Sequence, residues 1–293
     1  MLLRVSIASF LRDISSKSRR VVVVHDSLMS YNVQDVSSLT NAESYIVNCI
    51  SAFTLYCLIC LFRGMSVQFG EELLKKLPSI EGIMTDEVKD LTDSQRPYTD
   101  IRSGDIHNTS KVIEGKFLDL LPQVAGTQNK KQWAIGPIFP TKLDRISNRN
   151  DICLEWLNKQ PPSSVLYICF GTTTSFSDRE IKELAMGLEQ SKQKFTWVLR
   201  DADRGDIFTG KARKVELPEG FEERVKGVGE WEKREELVSA STIENAVRKL
   251  MASEEGNVIR KRAEELGEAV RRSTEKGGAS RRELDSFIAH ITR

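Results

Sequence analysis

Between Ser163 and Leu199 the chain spells out one complete strand, loop, helix and strand, and this unit constrains the fold class more than any other stretch. Ser164-Val165-Leu166-Tyr167-Ile168-Cys169-Phe170 reads as a buried strand, and Gly171-Thr172-Thr173-Thr174 turns the chain after it. Ser177 with Glu180 has the pattern of a capping box, and Ile181, Leu184, Ala185 and Leu188 recur along one helix face. Phe195-Thr196-Trp197-Val198-Leu199 supplies the returning strand. A strand that ends in Gly-Thr-Thr-Thr and feeds a capped helix can present backbone N–H groups, hydroxyls and the positive helix end to a phosphate. A glycine turn with β-branched polar filler accounts for the same letters. Neither a G-x-G-x-x-G nor a Walker lysine motif occurs, which counts against dinucleotide redox chemistry and NTP hydrolysis.

A second α/β region precedes this one. Val21-Val22-Val23-Val24 has the character of a parallel strand buried on both faces, and His25-Asp26-Ser27 ends it. Asp26 therefore sits at a strand's carboxyl end, the edge where open α/β sheets bind ligands. Ser44 to Ile50 reads as another strand, with an apolar helix from Ala52 onward. The pattern from Gly64 to Leu121 is mixed, and Leu77-Pro78-Ser79-Ile80-Glu81-Gly82 reads as loop. Ile135 to Pro140 and the polar stretch Lys142 to Asp151 form a linker, and a short helix follows at Cys153 to Leu157.

After Leu199 no further run of strand length appears. Ser241 with Glu244 caps a helix whose face is Ile243, Ala246, Val247, Leu250 and Met251, and a charged helix follows around Val258, Ile259, Leu266 and Val270. Gly277-Gly278 breaks it. Ser280 with Glu283 then opens a last helix with Leu284, Phe287, Ile288 and Ile291 on one side. At 293 residues the chain has length for two domains, yet its second region has too few strands for an ordinary parallel sheet.

Charge narrows the partners. Lys and Arg number 43 against 42 Asp and Glu, a formal charge of +1, so nothing electrostatic favours nucleic acid or an anionic membrane. The 5 cysteines, Cys49, Cys57, Cys60, Cys153 and Cys169, lie mostly in apolar runs, which points to reduced thiols in an intracellular compartment. Cys57-Leu58-Ile59-Cys60 lacks a second pair or nearby His and reads as packing rather than a metal site. Met1 to Phe10 fits a short amphipathic helix. Asn48, Ser51 and Thr54 interrupt the apolar run from Tyr45 to Phe62, so a buried strand and helix is preferred there to a membrane span. Asp201-Ala202-Asp203 imitates a metal-holding D-x-D, but its charged surroundings suit a solvated loop. His25 and Asp26 are neighbours on a strand and point to opposite faces, so they do not form a base and its orienting acid. His107, in a polar loop, and His290, in the last helix, are expected at the surface.

Several pieces in this order resemble plant UDP-sugar glycosyltransferases. They are Trp133-Ala134-Ile135-Gly136-Pro137, Cys153-Leu154-Glu155-Trp156-Leu157, Ser163 to Thr172 and Phe195-Thr196-Trp197-Val198-Leu199-Arg200. Within that family the chain is most similar to the zeatin O-glucosyltransferase group. That likeness rests on Val24-His25-Asp26-Ser27-Leu28-Met29, Gly171-Thr172-Thr173-Thr174-Ser175-Phe176-Ser177-Asp178, Leu188 to Phe195 and the tail from Trp231 to Arg293.

The resemblance implies an α/β fold of GT-B type, two Rossmann-like domains with parallel sheets, both truncated here. Residues 1–140 would be a partial acceptor-binding domain, 141–152 a linker, 153–275 a partial UDP-sugar-binding domain, and 276–293 a helix returning to the first domain. It implies glucose or xylose transfer from a UDP-sugar to a hydroxyl of a small acceptor such as zeatin, in a cytoplasmic monomer. No metal or other cofactor is implied, and neither nucleic acid nor membrane. Asp26 corresponds to the acid that orients the family's catalytic His, and Gly171, Thr172 and Thr173 to the loop near the diphosphate. Two departures stand out. The family's catalytic His precedes the point where this sequence begins. Val228-Gly229-Glu230-Trp231 then passes directly over the long donor signature that starts Trp-Ala-Pro-Gln and contains His-Cys-Gly-Trp-Asn-Ser. Each lost donor hydrogen bond costs roughly 1–3 kcal/mol, so impaired or absent activity is expected. The alternative is a non-catalytic product with residual acceptor or protein binding.

Overall fold

The computed structural model describes residues 2–65, 86–124, 130–138, 152–171, 176–198, 217–221 and 239–293. The chain divides into two compact units, residues 1–141 with 265–293, and residues 142–264. Outside the described residues lie the expected loop Leu77 to Gly82, residues 141–151 of the expected linker, Thr172 to Thr174, Leu199, the Asp201-Ala202-Asp203 triplet and the Val228 to Trp231 junction.

The first unit is built on a parallel sheet of β1 (Val21–Asp26), β2 (Ala42–Asn48), β3 (Gly104–His107) and β4 (Lys131–Ala134), in that spatial order. Its register places Asp26 beside Val47, Asn48 beside His107, and Asp105 beside both Ile46 and Gln132. Because β1 is an edge strand, it is not buried on both faces as its four valines suggest; Val24 is 50% exposed. Sequence reading also missed β3, whose Gly-Asp-Ile-His has weak strand propensity but is wholly buried.

Helices cover both faces of this sheet. α1 (Leu2–Lys17) continues through the charged residues after Phe10, because Arg12, Asp13 and Lys17 fall on its exposed side. Its Leu11, Ile7 and Ile14 pack on Val21 and Val23, together with Val33 of α2 (Ser30–Val33) and Val36. On the same face, α3 (Ala52–Phe62) brings Ala52, Tyr56 and Cys60 against Leu118 of α5 (Lys111–Leu120), Leu121, Val124 and Ala134. α4 (Asp86–Thr99) precedes β3. The opposite face buries Tyr45, Ile106 and Trp133 beneath Phe287 of α10 (Ala279–Ile291).

α10 does not start with the capping box expected at Ser280. Its N-cap is Gly278, and Ser280 lies inside the first turn, 2% exposed. The Ser280 hydroxyl donates to the Gly136 carbonyl oxygen at 2.6 Å and lies 2.9 Å from the Ser110 hydroxyl at the N-cap of α5. Gly136 is obligatory at this crossing, since a Cβ there would stand 2.4 Å from the backbone of Asn108 and Thr109. At its other end, α10 has its last carbonyls capped from β1's approach: Arg20 donates to His290 O and Ile291 O while its second nitrogen holds Glu43.

The second unit holds α6 (Ile152–Leu157), β5 (Val165–Ile168), α7 (Asp178–Ser191), β6 (Lys194–Trp197), α8 (Ala240–Ala252) and the start of α9 (Glu254–Thr274). β5 and β6 pair in parallel, which is the strand, loop, helix and strand unit legible in the sequence. Ile181, Ala185 and Leu188 of α7 pack with Phe195, Trp197, Phe221 and Val247. Among the described residues only two strands form this sheet, so β5 is half-buried rather than buried, and Tyr167 is 65% exposed. α7 and α8 cross closely at Gly187, where a Cβ would meet Ala240 O and Ile243 at 2.6 Å. The cap of α8 is Ser239 rather than Ser241; its hydroxyl accepts from the Thr242 N–H, while Glu244 pairs with Arg248. Among the described residues no helix is long and apolar enough to cross a membrane.

Candidate functional site

The carboxyl ends of β1, β2 and β3 bring Asp26, Asn48 and His107 to one edge of the first sheet. Asp26 is exposed and caps the turn that follows it, its carboxylate accepting the Leu28 N–H at 2.8 Å. The imidazole of His25 points to the other face, as strand alternation requires, and its Nδ1 meets the backbone oxygen of Asp26 at 2.8 Å, not the carboxylate. Among the described residues no histidine is hydrogen-bonded to the Asp26 side chain.

Beside this edge lies a cavity of about 540 Å³ between β2, α3 and α4, with Ser27 and Leu28 at one side. Its apolar wall is Ile46, Leu55, Ile59 and Phe62, and Arg96 places its guanidinium 4.9 Å above the Phe62 ring. Polar groups gather along the floor. Asn48, Gln95, Arg102 and Asp105 line it, and all four are buried.

A chain of hydrogen bonds runs beneath this floor. Arg102 Nε donates to Asp105 Oδ1 at 2.6 Å, and Gln132 Nε2 donates to Asp105 Oδ2 at 2.9 Å. With its amide nitrogen so engaged, Gln132 offers Oε1 to His107 Nε2 at 2.6 Å. That bond requires the proton on Nε2 and leaves His107 Nδ1 as a bare acceptor. Far from being a surface residue in a loop, His107 is 1% exposed within β3. His290 is also off the open surface, half-buried against Trp133 and 2.9 Å from the Tyr45 hydroxyl.

Burial holds the His107 imidazole below its ordinary pKa of 6.5, with the Gln132 bond and the Asp105 charge opposing. His25 is lowered by burial too, against the Asp26 carbonyl, and His290 by burial and the charges of Lys131 and Arg293. Below pH 6.5 the unfolded chain therefore takes up protons that the fold refuses. Stability should fall as pH drops from about 6.5 towards 5, as measured by the urea midpoint, and His107→Gln should flatten that dependence. A midpoint unchanged across this range would refute it.

In the second unit, β5 ends at Ile168 and Gly171 turns the chain with φ +79, a conformation that side chains resist. Thr172 and Thr173 lie outside the described residues. Helix α7 begins beyond them at Asp178, with Ser177 as N-cap and its hydroxyl on Glu180 at 3.1 Å. The Ser177 hydroxyl makes no cap bond to the backbone, so its direct bond to Glu180 stands where the capping box was expected.

None of the five cysteines forms a disulfide. Cys49, Cys153 and Cys169 are exposed, contrary to the apolar runs that carry them, whereas Cys60 is buried beside Tyr56. Among the described residues no cluster of His, Cys, Asp or Glu is arranged to hold a metal ion.

Asp26 closes β1, whereas β5 ends at Ile168, short of the Phe170 expected from the sequence, so Gly171 lies in the loop beyond it. Asn48, Asp105, Gln132 and His107 were missed. The available signal was the two-residue alternation of Asp105 and His107 around Ile106, masked by their polarity.

A family model for the N-terminal domain of glycosyltransferases matches residues 1–140. Zeatin O-xylosyltransferase of Phaseolus vulgaris is 38% identical over 370 positions, covering 99% of this chain and 79% of its own length. Zeatin O-glucosyltransferase of Phaseolus lunatus is 38% identical as well, with 99% and 78% covered. Those 370 aligned positions exceed the 293 residues of this chain, so the relative has internal residues with no counterpart here. A solved UGT transferase of Siraitia grosvenorii in complex with UDP superposes with a TM-score of 0.78 at 21% identity, covering 99% of this chain and 82% of that one, which gives the GT-B fold. With a relative this similar over most of its length, the chain belongs to the plant UDP-glycosyltransferases and is of the zeatin O-glycosyltransferase type.

Proposed function

We propose that this chain binds a small hydroxylated acceptor of the zeatin kind in its first unit and carries out little or no sugar transfer. The observation that carries this reading is the direct passage Val228-Gly229-Glu230-Trp231, which omits the donor signature. The alignment, longer than the chain itself, supports it.

Inverting transfer from a UDP-sugar needs two things at once. A base must withdraw the acceptor's hydroxyl proton as its oxygen attacks the anomeric carbon. Donor groups must also stabilise the negative charge on the departing UDP. In this reading Asp26 is the orienting acid, but its carboxylate caps Leu28 and holds no imidazole. Gly171, Thr172 and Thr173 would approach the diphosphate as the remaining half of the donor site. UDP-glucose or UDP-xylose is the co-substrate and no metal takes part. The protein is a cytoplasmic monomer that engages neither nucleic acid nor membrane.

The test is purified chain with radiolabelled UDP-glucose and trans-zeatin, beside calorimetry with UDP and with zeatin alone. Zeatin is expected to bind, and UDP binding and glucosyl transfer to stay at background. Turnover that Asp26→Ala abolishes would overturn the inactive reading. A folded sample that binds UDP tightly would overturn the loss of the donor site.

A further inference from the structure

Of the buried side-chain atoms without a hydrogen-bond partner in the described part of the first unit, two are neighbours in the sheet. Asn48 is 6% exposed and its Nδ2 donates to nothing; His107 is 1% exposed and its Nδ1 accepts from nothing. The two residues are register partners on adjacent parallel strands, so their side chains leave the same face at the spacing of one strand. Their chemistry is opposite. The Asn48 nitrogen is a donor, whereas His107 Nδ1 is held as an acceptor because the ring's only proton sits on Nε2, which donates to Gln132 Oε1.

Leaving either atom unpaired in the interior is costly, and one small group can satisfy both. A hydroxyl has one proton to give and lone pairs to offer, so a single oxygen can donate to Nδ1 and accept from Nδ2. A carbonyl would serve Asn48 alone, and an ammonium His107 alone. Asn48 lines the 540 Å³ cavity, whose remaining wall is largely apolar, and the pair stands at the carboxyl ends of β2 and β3, where ligands meet open α/β sheets.

We infer that Asn48, at the floor of this cavity, and His107, its register partner on β3, together form a hydroxyl-recognition site that selects ligands with an apolar body and a neutral hydroxyl group. The inference rests on the acceptor-binding reading and adds the residues that set its selectivity. The Arg102–Asp105–Gln132 chain acts through His107 by fixing its tautomer, and these three are positioning residues.

Calorimetry on the full chain with trans-zeatin and with its deoxy analogue, the same purine and side chain without the hydroxyl, tests it. Zeatin should bind about tenfold more tightly, the equivalent of one net hydrogen bond to a ligand. Asn48→Leu should erase that preference while keeping affinity for the deoxy analogue, and Asn48→Ala, which is smaller and equally without a polar group, provides the same readout if the leucine variant does not fold. The His107 Nδ1 resonance in nitrogen NMR should move on adding zeatin and stay still with the analogue. Equal affinity for both ligands overturns the inference and spares the acceptor reading. A preference that survives in the Asn48 variants also overturns it, as does an Nδ1 resonance indifferent to zeatin, which marks the two atoms as satisfied by each other or by water. Failure of both ligands to bind overturns the acceptor reading and this inference together.

Discussion

Replacing Asp105 with alanine should lower the unfolding free energy by about 3–5 kcal/mol, the scale for removing one partner of a buried ion pair. Arg102 is 7% exposed and Asp105 3%, and their direct contact is 2.6 Å. Arg102 also donates to the Thr99 carbonyl oxygen at 2.7 Å, and Gln132 holds the second Asp105 oxygen. Both carboxylate oxygens are therefore satisfied, and alanine would leave the buried guanidinium without its close carboxylate, with Asp100 3.8 Å away as its remaining acid. The cost comes from what is left behind rather than from the strength of the pair itself. Asp105→Ala combined with Arg102→Met should therefore recover much of the loss, giving a coupling energy well outside simple additivity. Urea unfolding followed by the fluorescence of Trp133, buried on the opposite face of the same sheet, measures each corner of the cycle. A loss below about 1 kcal/mol in the single variant would mean that water reaches Arg102 and that the floor is not sealed.

The same residues explain why this floor was illegible in the sequence. Gly104-Asp105-Ile106-His107 has a glycine, an acid and a histidine in four positions, a composition that argues for loop. It becomes a central strand because Arg102 neutralises Asp105 and Gln132 pairs with both Asp105 and His107. Those pairings come from register, which no local pattern contains. The unit from Ser163 to Trp197 was legible for the opposite reason. Its strand, glycine turn and helix are each specified by neighbours a few residues apart, and only the amount of burial depended on strands elsewhere. The four valines of β1 were read correctly as a strand, but their two-sided burial required a further neighbour strand that the described residues do not supply. Hydroxyls misled in a different way. Ser241 and Ser280 both stand three residues before a glutamate, yet the N-cap of α8 is Ser239 and that of α10 is Gly278. For Ser280 the reason is tertiary, since its hydroxyl is engaged by Gly136 and Ser110, far away in sequence. Asp26 needed no such partners, because the end of a strand is visible in the letters that stop it.

Phe287→Ala should cost about 3–5 kcal/mol and release α10 from the sheet. Phe287 is 7% exposed and meets the rings of Tyr45 and Trp133 edge-on, with centroids at 5.3 and 5.1 Å. Tyr45 and Trp133 also meet each other at 5.9 Å, so removing the third ring opens a void between two side chains that cannot collapse onto it. The attachments that hold this helix differ in kind. The aromatic cluster is apolar and central, Ser280 binds the N-terminal turn to Gly136, and Arg20 caps the last carbonyls. Arg20 is partly exposed and its ion pair with Glu43 is screened by salt, so Arg20→Ala should cost less, about 1–2 kcal/mol. If the cluster is what docks the helix, the cap has nothing to hold once the ring is gone. The double variant Phe287→Ala with Arg20→Ala should then be little worse than Phe287→Ala alone. Limited proteolysis between α9 and α10, scored beside Trp133 fluorescence, separates undocking from global unfolding. Fully additive losses, with the α9 to α10 junction still protected, would show that each attachment holds the helix independently.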